Sequence, residues 1–452
     1  MAGLLIVVMA PPTVCAGESA TAHSDEAVTA RADEYTNAGA ASRLSPSVKF
    51  AETDEALFVE LVKLAKFNVH FHLESNRHQK WRDLTYPLAR ESGTALTFAA
   101  TLIELRQQAK GLDSPARISR HELKEAVRCG IVGNAINSGA SALELAQNTW
   151  VMLQAKQHGY SPDASLALVK SAVAKTDRLL AQRDELAAQE QSVERRQVLD
   201  LETQLVRRIR QQLLFEFGTW SCHSRDRAWR ENTFYAIDSL QSGSKMAAGL
   251  IAMKAFGHRK LGRDAAVCAL VGNSAATLNP IVSSLAGITV RNYQKRKLAH
   301  EIPFERLSPS ADLDQLPKAL SDASEQNWLN KIKELNYRTE RLGGELDREI
   351  KEIDRYRQVA QQQSISGPLI GLTGVASSTL ATVATYGYLR DPHTSIRLGL
   401  AGRITQGTGQ SFALINTPYT MISGMLRKHR LRQRGELPNQ ILEARLKRLN
   451  DY

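Results

Sequence analysis

Three stretches of this chain carry no Asp, Glu, Lys, Arg or His for longer than a bilayer core requires. Residues 265–290 make 26 such positions, 358–389 make 32, of which the apolar part 365–389 is 25, and 404–426 make 23. A helix needs about 20 apolar residues to cross the hydrocarbon core. All three stretches are rich in Gly, Ala, Ser and Thr, the residues that let helices pack closely in lipid. Gly367 and Gly371 form a G-x-x-x-G step, and Pro280 and Pro418 lie inside spans, as lipid-embedded bundles tolerate. The competing reading is a buried hairpin of a helical bundle. Asn273, Asn279, Gln406, Gln410 and Asn416 are polar, and an apolar helix also suits a protein core.

An internal repeat organises the chain. The frame R-x-x-x-W-R-[DE]-x-T-[YF] occurs at 77–86 and again, 148 residues on, at 225–234. Ser92-Gly93 follows the first copy and Ser242-Gly243 the second; a fainter third set has Tyr356-Arg357, then Ser366-Gly367. Downstream, Val132-Gly133-Asn134 matches Val271-Gly272-Asn273 and, weakly, Ala401-Gly402-Arg403. Ordered markers at a long fixed period signal repeated supersecondary units. The pairs Trp81-Arg82 and Trp229-Arg230 read either as a shared ligand or headgroup contact or, more simply, as amphipathic anchors between two helix types.

The sequence therefore predicts an all-α protein of three divergent repeats. Each is a long charged, coiled-coil-like helix followed by a small-residue-rich apolar hairpin, membrane-associated as a whole. The units fall at 56–158, 163–300 with a hairpin at 244–290, and 325–434 with a hairpin at 365–426. Between the last two lies a linker, 301–324, and a basic tail occupies 435–452. In the first unit, 92–103 is short and Glu144 interrupts 129–155, so that unit is expected to lie along the surface or cap the bundle. In the second, Ser161-Pro162-Asp163 gives a helix start and Gly218 a stop. Leu205, Ile209 and Leu213 fall on one stripe between them. In the third, Trp328, Ile332, Leu335, Leu342, Leu346 and Ile353 follow coiled-coil spacing. These stripes suit a partner helix of the same chain, with self-association as the alternative.

The amino terminus is different in kind. Residues 4–9 are an aliphatic run, and Val14-Cys15-Ala16 offers small residues before a cut, as in a secretory signal over 1–16. No Lys or Arg precedes the run. Residues 17–57 hold eight acids and three bases, a net of 3 − 8 = −5. With few large apolar groups, 17–55 reads as a flexible acidic linker. The whole chain carries 58 − 47 = +11, so 58–452 carries +11 + 5 = +16. Four cysteines in 452 residues exclude a disulfide framework.

Basic clusters follow two of the spans. Arg291, Lys295, Arg296 and Lys297 come after the first, and Arg427, Lys428, Arg430, Arg432 and Arg434 after the third. Such exits attract anionic headgroups at about 1 kcal/mol per residue. Anionic lipid is the expected partner; nucleic acid is disfavoured because no reader motif or aromatic–basic interleaving accompanies the charge. His70, Glu74 and His78, at i, i+4 and i+8, would share a helix face and form a candidate metal site, although a solvated polar face accounts for them equally well. No cofactor is indicated, and the chain lacks H-E-x-x-H, C-x-x-C, G-x-S-x-G and a complete phosphate loop. Cys222-His223 are adjacent, which does not make a nucleophile–base pair. The functional expectation is a non-enzymatic membrane-associated scaffold with coiled-coil-like arms. The alternatives are a soluble or secreted, conditionally inserting membrane-active protein, and a metal-dependent activity at the His/Glu/His face.

Overall fold

A computed structural model describes residues 46–75, 82–256, 260–302, 330, 366–388, 391–435 and 437–450, and among them every regular element is helical. The helices are α1 (Pro46–Ser75), α2 (Arg82–Asp113), α3 (Arg120–Gln157), α4 (Pro162–Ala188), α5 (Val193–Ala255), α6 (Leu261–Glu301), α7 (Ser366–Gly387), α8 (Pro392–Gln433) and α9 (Pro438–Asn450). The chain divides into two compact units, 1–54 and 55–452. Helices α2 to α9, and α1 from Glu55 onward, belong to the second unit. The segment 1–16, the mark residue Trp81 and the coiled-coil stripe 332–353 lie outside the described residues.

Local sequence explains three of the helix starts. Ser119 caps α3 by accepting from the Glu122 amide, and its own amide donates to Gln107 Oε1 at 2.9 Å. Ser161 caps α4 with Pro162 in the first turn. Asp391 caps α8 by accepting from the His393 and Thr394 amides, again with a proline following. Serine and aspartate caps satisfy amides that have no partner within the helix, and proline there loses nothing.

Three expectations about boundaries need correction. Helix α1 begins at Pro46, inside the segment read as linker. Gly218 does not stop a helix: α5 runs through it for 63 residues, because a buried position packed in a core outweighs glycine's weak helix propensity. The real break lies earlier, at 189–192, where Gln-Glu-Gln-Ser ends the apolar stripe and Glu190 caps the Ser192 amide. The basic tail reads as a single stretch of charge, yet it contains a packed helix, α9.

Two kinds of packing coexist. Helices α1, α4, the first half of α5, the end of α6 and α9 bury an ordinary apolar core. Leu61 and Val69 from α1, Val169 from α4, Ile209, Leu213 and Phe217 from α5, Leu298 from α6 and Leu442 from α9 belong to one cluster. The stripe Leu205, Ile209 and Leu213 thus packs within its own chain. Two buried charge pairs stand inside this head: Arg183, fully buried, donates to Glu202 at 2.6 Å and to the Leu199 carbonyl at 2.8 Å. Arg445 of α9 grips both carboxylate oxygens of Glu216.

Beyond the head, six helices form three antiparallel hairpins, α2–α3, α5–α6 and α7–α8. Each helix packs on two neighbours in the cyclic order α2, α3, α5, α6, α7, α8 and back to α2. The seams rest on small residues. A Cβ on Gly133 would sit 2.6 Å from the Gly93 carbonyl, one on Gly272 2.9 Å from that of Gln241, and one on Gly402 3.1 Å from that of Ser377. Between hairpins, Ser138 bonds the Ser239 carbonyl at 3.2 Å, and Asn273 donates to the Gly374 carbonyl at 3.0 Å. The ring closes between its first and last helices, where Arg403 of α8 meets Glu104 of α2 at 2.7 Å. Helices α2 and α3 are full members of this ring, which corrects the expectation that the first unit lies along a surface.

Packing and burial each set an expected outcome. Gly133→Ala should destabilise the protein by about 1–3 kcal/mol through overpacking. Gly139→Ala, where a Cβ meets nothing within 4 Å, should be neutral or stabilising by up to about 1 kcal/mol; thermal unfolding in detergent compares them. In the head, burial holds the His72 imidazole down at about 3. The unfolded chain takes up that proton near pH 6.5 and the folded chain does not. Stability should therefore fall as pH drops below about 6.5, by about 1.4 kcal/mol per unit from this group. Burial works to raise Glu216, but Arg445 outweighs it and holds the carboxyl below its usual range, adding a loss at lower pH still. Denaturant unfolding at pH 7 and pH 5 should show a smaller difference in His72→Leu than in the parent.

Candidate functional site: a polar cavity within the helix ring

All six ring helices line one cavity of about 370 Å³. Its wall alternates small residues with polar ones. Arg90, Thr97 and Glu104 come from α2, Asn134 and Asn137 from α3, and Gln241, Ser242 and Lys245 from α5. Helix α6 adds Asn273, α7 adds Ser377 and Ser378, and α8 adds Arg403, Gln406 and Gln410. The residues that follow the small-Gly pair in the three sequence segments, Asn134, Asn273 and Arg403, all face this space.

The charges on the wall are mostly paired. Arg90 donates to Asp238 at 2.7 Å, and Tyr86 and Ser141 bond the same carboxylate. Arg403 contacts Glu104 at 2.7 Å and donates to Gln406 Oε1 at 2.8 Å. Lys245 has no carboxylate within 4 Å among the described residues.

The outside of the ring is the reverse of the inside. On α6, Leu278, Ile281, Leu285 and Ile288 form one stripe, each more than 50% exposed, while Asn273, Asn279, Ser283 and Gly287 are buried. On α8, Ile404, Ile415, Tyr419 and Ile422 are exposed, and Gly402, Gly409, Gln410 and Thr417 are buried. None of these exposed residues lines the cavity. Helix α6 and the stretch Pro368–Gly387 are long and apolar enough to cross a membrane, and only 22% and 28% of their apolar windows are buried.

Aromatic residues mark both ends of the apolar zone. Trp150 and Trp229 are exposed near the head, at a level fixed by Asn148 on Glu231 and Asn232 on Met152. Tyr386 and Tyr388 are exposed at the far end, where Arg263 lies 5.0 Å over the Tyr386 ring. Trp229 and the end of α5 at Ala255 are separated by about 39 Å at 1.5 Å per residue.

The residues singled out from sequence fall outside the cavity, except for the Asn and Arg markers and the span residues Gln406 and Gln410. Arg291, Lys295 and Arg296 are exposed at the end of α6, while Lys297 pairs with Asp163 at 2.9 Å. Arg430, Arg432 and Arg434 are exposed at the end of α8, with Arg427 and Lys428 half-buried. Both clusters lie at the head end of the ring. Trp229 stands at the junction between head core and ring, and Arg230 is half-buried beside it; Arg82 starts α2. His70 is exposed on α1, Glu74 is half-buried, and His78 lies outside the described residues. Among the described residues no group of three His, Cys, Asp or Glu side chains could hold a metal ion. Cys222 is buried, and burial pushes its thiol up to about 11, which is unsuited to a nucleophile. Sequence reasoning missed Arg90, Glu104 and Lys245. Their signal was isolated charge within Ala-, Gly-, Ser- and Thr-rich helices.

Comparison with known protein families, with characterised proteins and with solved structures finds no match.

Breaking a buried pair on this wall should be costly. Asp238→Leu leaves Arg90 without its carboxylate and should destabilise by about 3–5 kcal/mol. Adding Arg90→Met should recover most of that loss, measured by unfolding in detergent as a double-mutant cycle.

Proposed function

We propose that the six-helix ring is embedded in a membrane and that the protein is a non-enzymatic solute-binding membrane protein whose ligand occupies the central cavity. The observation that carries this reading is the inverted distribution of side chains: large apolar groups on the outside, paired charges and amides within. Water would penalise such an exterior, since exposed apolar patches of this extent mark a lipid or protein interface. A bilayer makes the same arrangement stable and confines ionisable groups to an interior cavity.

The three hairpins are read as divergent repeats. In support, Gly133, Gly272 and Gly402 each meet the backbone of the preceding helix, and the residue after each faces the cavity. The aromatic residues at the two ends suit the water–lipid boundaries. The basic exits of α6 and α8, on one end of the ring, suit an anionic leaflet. This reading replaces a scaffold with projecting arms, because α4 and the first half of α5 close a core with α1 and α9.

Fractionation of the full-length protein tests it. Retention in the membrane pellet through both sodium carbonate and high-salt washes is the expected result. Release by salt alone, or recovery as a monodisperse protein without detergent, would remove the membrane-embedded reading.

A further inference from the structure

We infer that the cavity binds a small organic anion bearing hydroxyl groups, a carboxylate or a phosphate ester, with Lys245 as its charge partner; this deepens the solute-cavity reading and rests on it. Three cations face the cavity. Two are already neutralised, Arg90 by Asp238 and Arg403 by Glu104, each at 2.7 Å. Lys245 projects from α5 with no carboxylate within 4 Å and no hydrogen bond among the described residues, and the Asp238 carboxylate that attracts it already holds Arg90. An ammonium held in a cavity walled by helices is stabilised when an anion arrives.

The hydroxyl requirement comes from a separate observation. The cavity wall also carries the amides of Asn134, Gln241 and Gln406 and the hydroxyls of Ser242 and Ser377. They come from α3, α5, α7 and α8, so polar groups surround the space. A wall built to hydrogen-bond ligand hydroxyls discriminates against an analogue that lacks them. A cavity of about 370 Å³ is at the small end of ligand sites, which sets the size class.

The test uses the full-length protein in detergent, with tartrate, succinate and glycerol 3-phosphate as probes and chloride at equal ionic strength as reference. Tartrate and succinate share two carboxylates and differ in the hydroxyls. Tartrate or glycerol 3-phosphate should raise the unfolding temperature saturably, and succinate less. Lys245→Met should weaken that binding at least tenfold, Lys245→Arg should largely keep it, and Lys254→Met, an exposed lysine on the same helix, should leave it unchanged. In the parent protein, tartrate should protect Lys245 but not Lys254 from acetylation, a readout that requires no variant to fold. The inference is overturned if no probe stabilises beyond chloride, if Lys245→Met binds equally well, or if only anionic-lipid micelles stabilise. Because the assay contains no bilayer, binding that persists in a protein washed out of membranes would sink the membrane reading alone.

Discussion

The close approach of helix backbones at Gly133, Gly272 and Gly402 shapes everything else in the ring. Where two helices meet through backbone, no large side chain fits between them. The bulky residues of α6 and α8 therefore turn outward, and the inward surface is left to Asn, Ser, Thr, Gly and Ala. Six helices joined in this way enclose a space their side chains are too short to fill. The cavity follows from the small residues at the seams and does not need a dedicated loop or domain interface to form it.

That geometry also decides how charge is handled. Arg90 and Arg403 reach into the interior of the ring, where Asp238 and Glu104 lie within contact distance and balance their charge. The pairs bridge different helices, so they fix registry as well as charge. The Arg403–Glu104 pair closes the ring between its first and last helices, joining parts of the chain that no local signal could bring together. The head follows the opposite rule. It buries Leu, Ile and Phe, and its charged groups, Arg183 with Glu202 and Glu216 with Arg445, tie peripheral helices to α5.

The hairpins, the helix caps and the uncharged spans were legible because they depend on local pattern: proline after a cap, glycine at intervals, long runs without charge. The second-hairpin span was read as beginning near 244, yet the helix extends back through Gly218, because burial overrode a propensity worth about 1 kcal/mol. The break at 189–192 left only a short polar run, which resembles an ordinary helix surface. The cavity itself was not legible. Lys245 and Glu104 are single charges in small-residue helices, and whether such a charge faces outward or inward depends on packing angles set by distant segments. The basic residues at the two exits stood out by number, and the residues that line the cavity did not.

One continuous helix belongs to both halves of this molecule. Over its 63 residues α5 extends about 94 Å, beginning with Val206 and Phe217 in the apolar core of the head and ending with Lys245 and Ala252 on the cavity wall. No loop separates these roles. If the ring changes width around its contents, α5 tilts as a rigid rod, and its far end must carry the head with it. A displacement of the cavity wall along this helix would be carried to the head, tens of ångströms away.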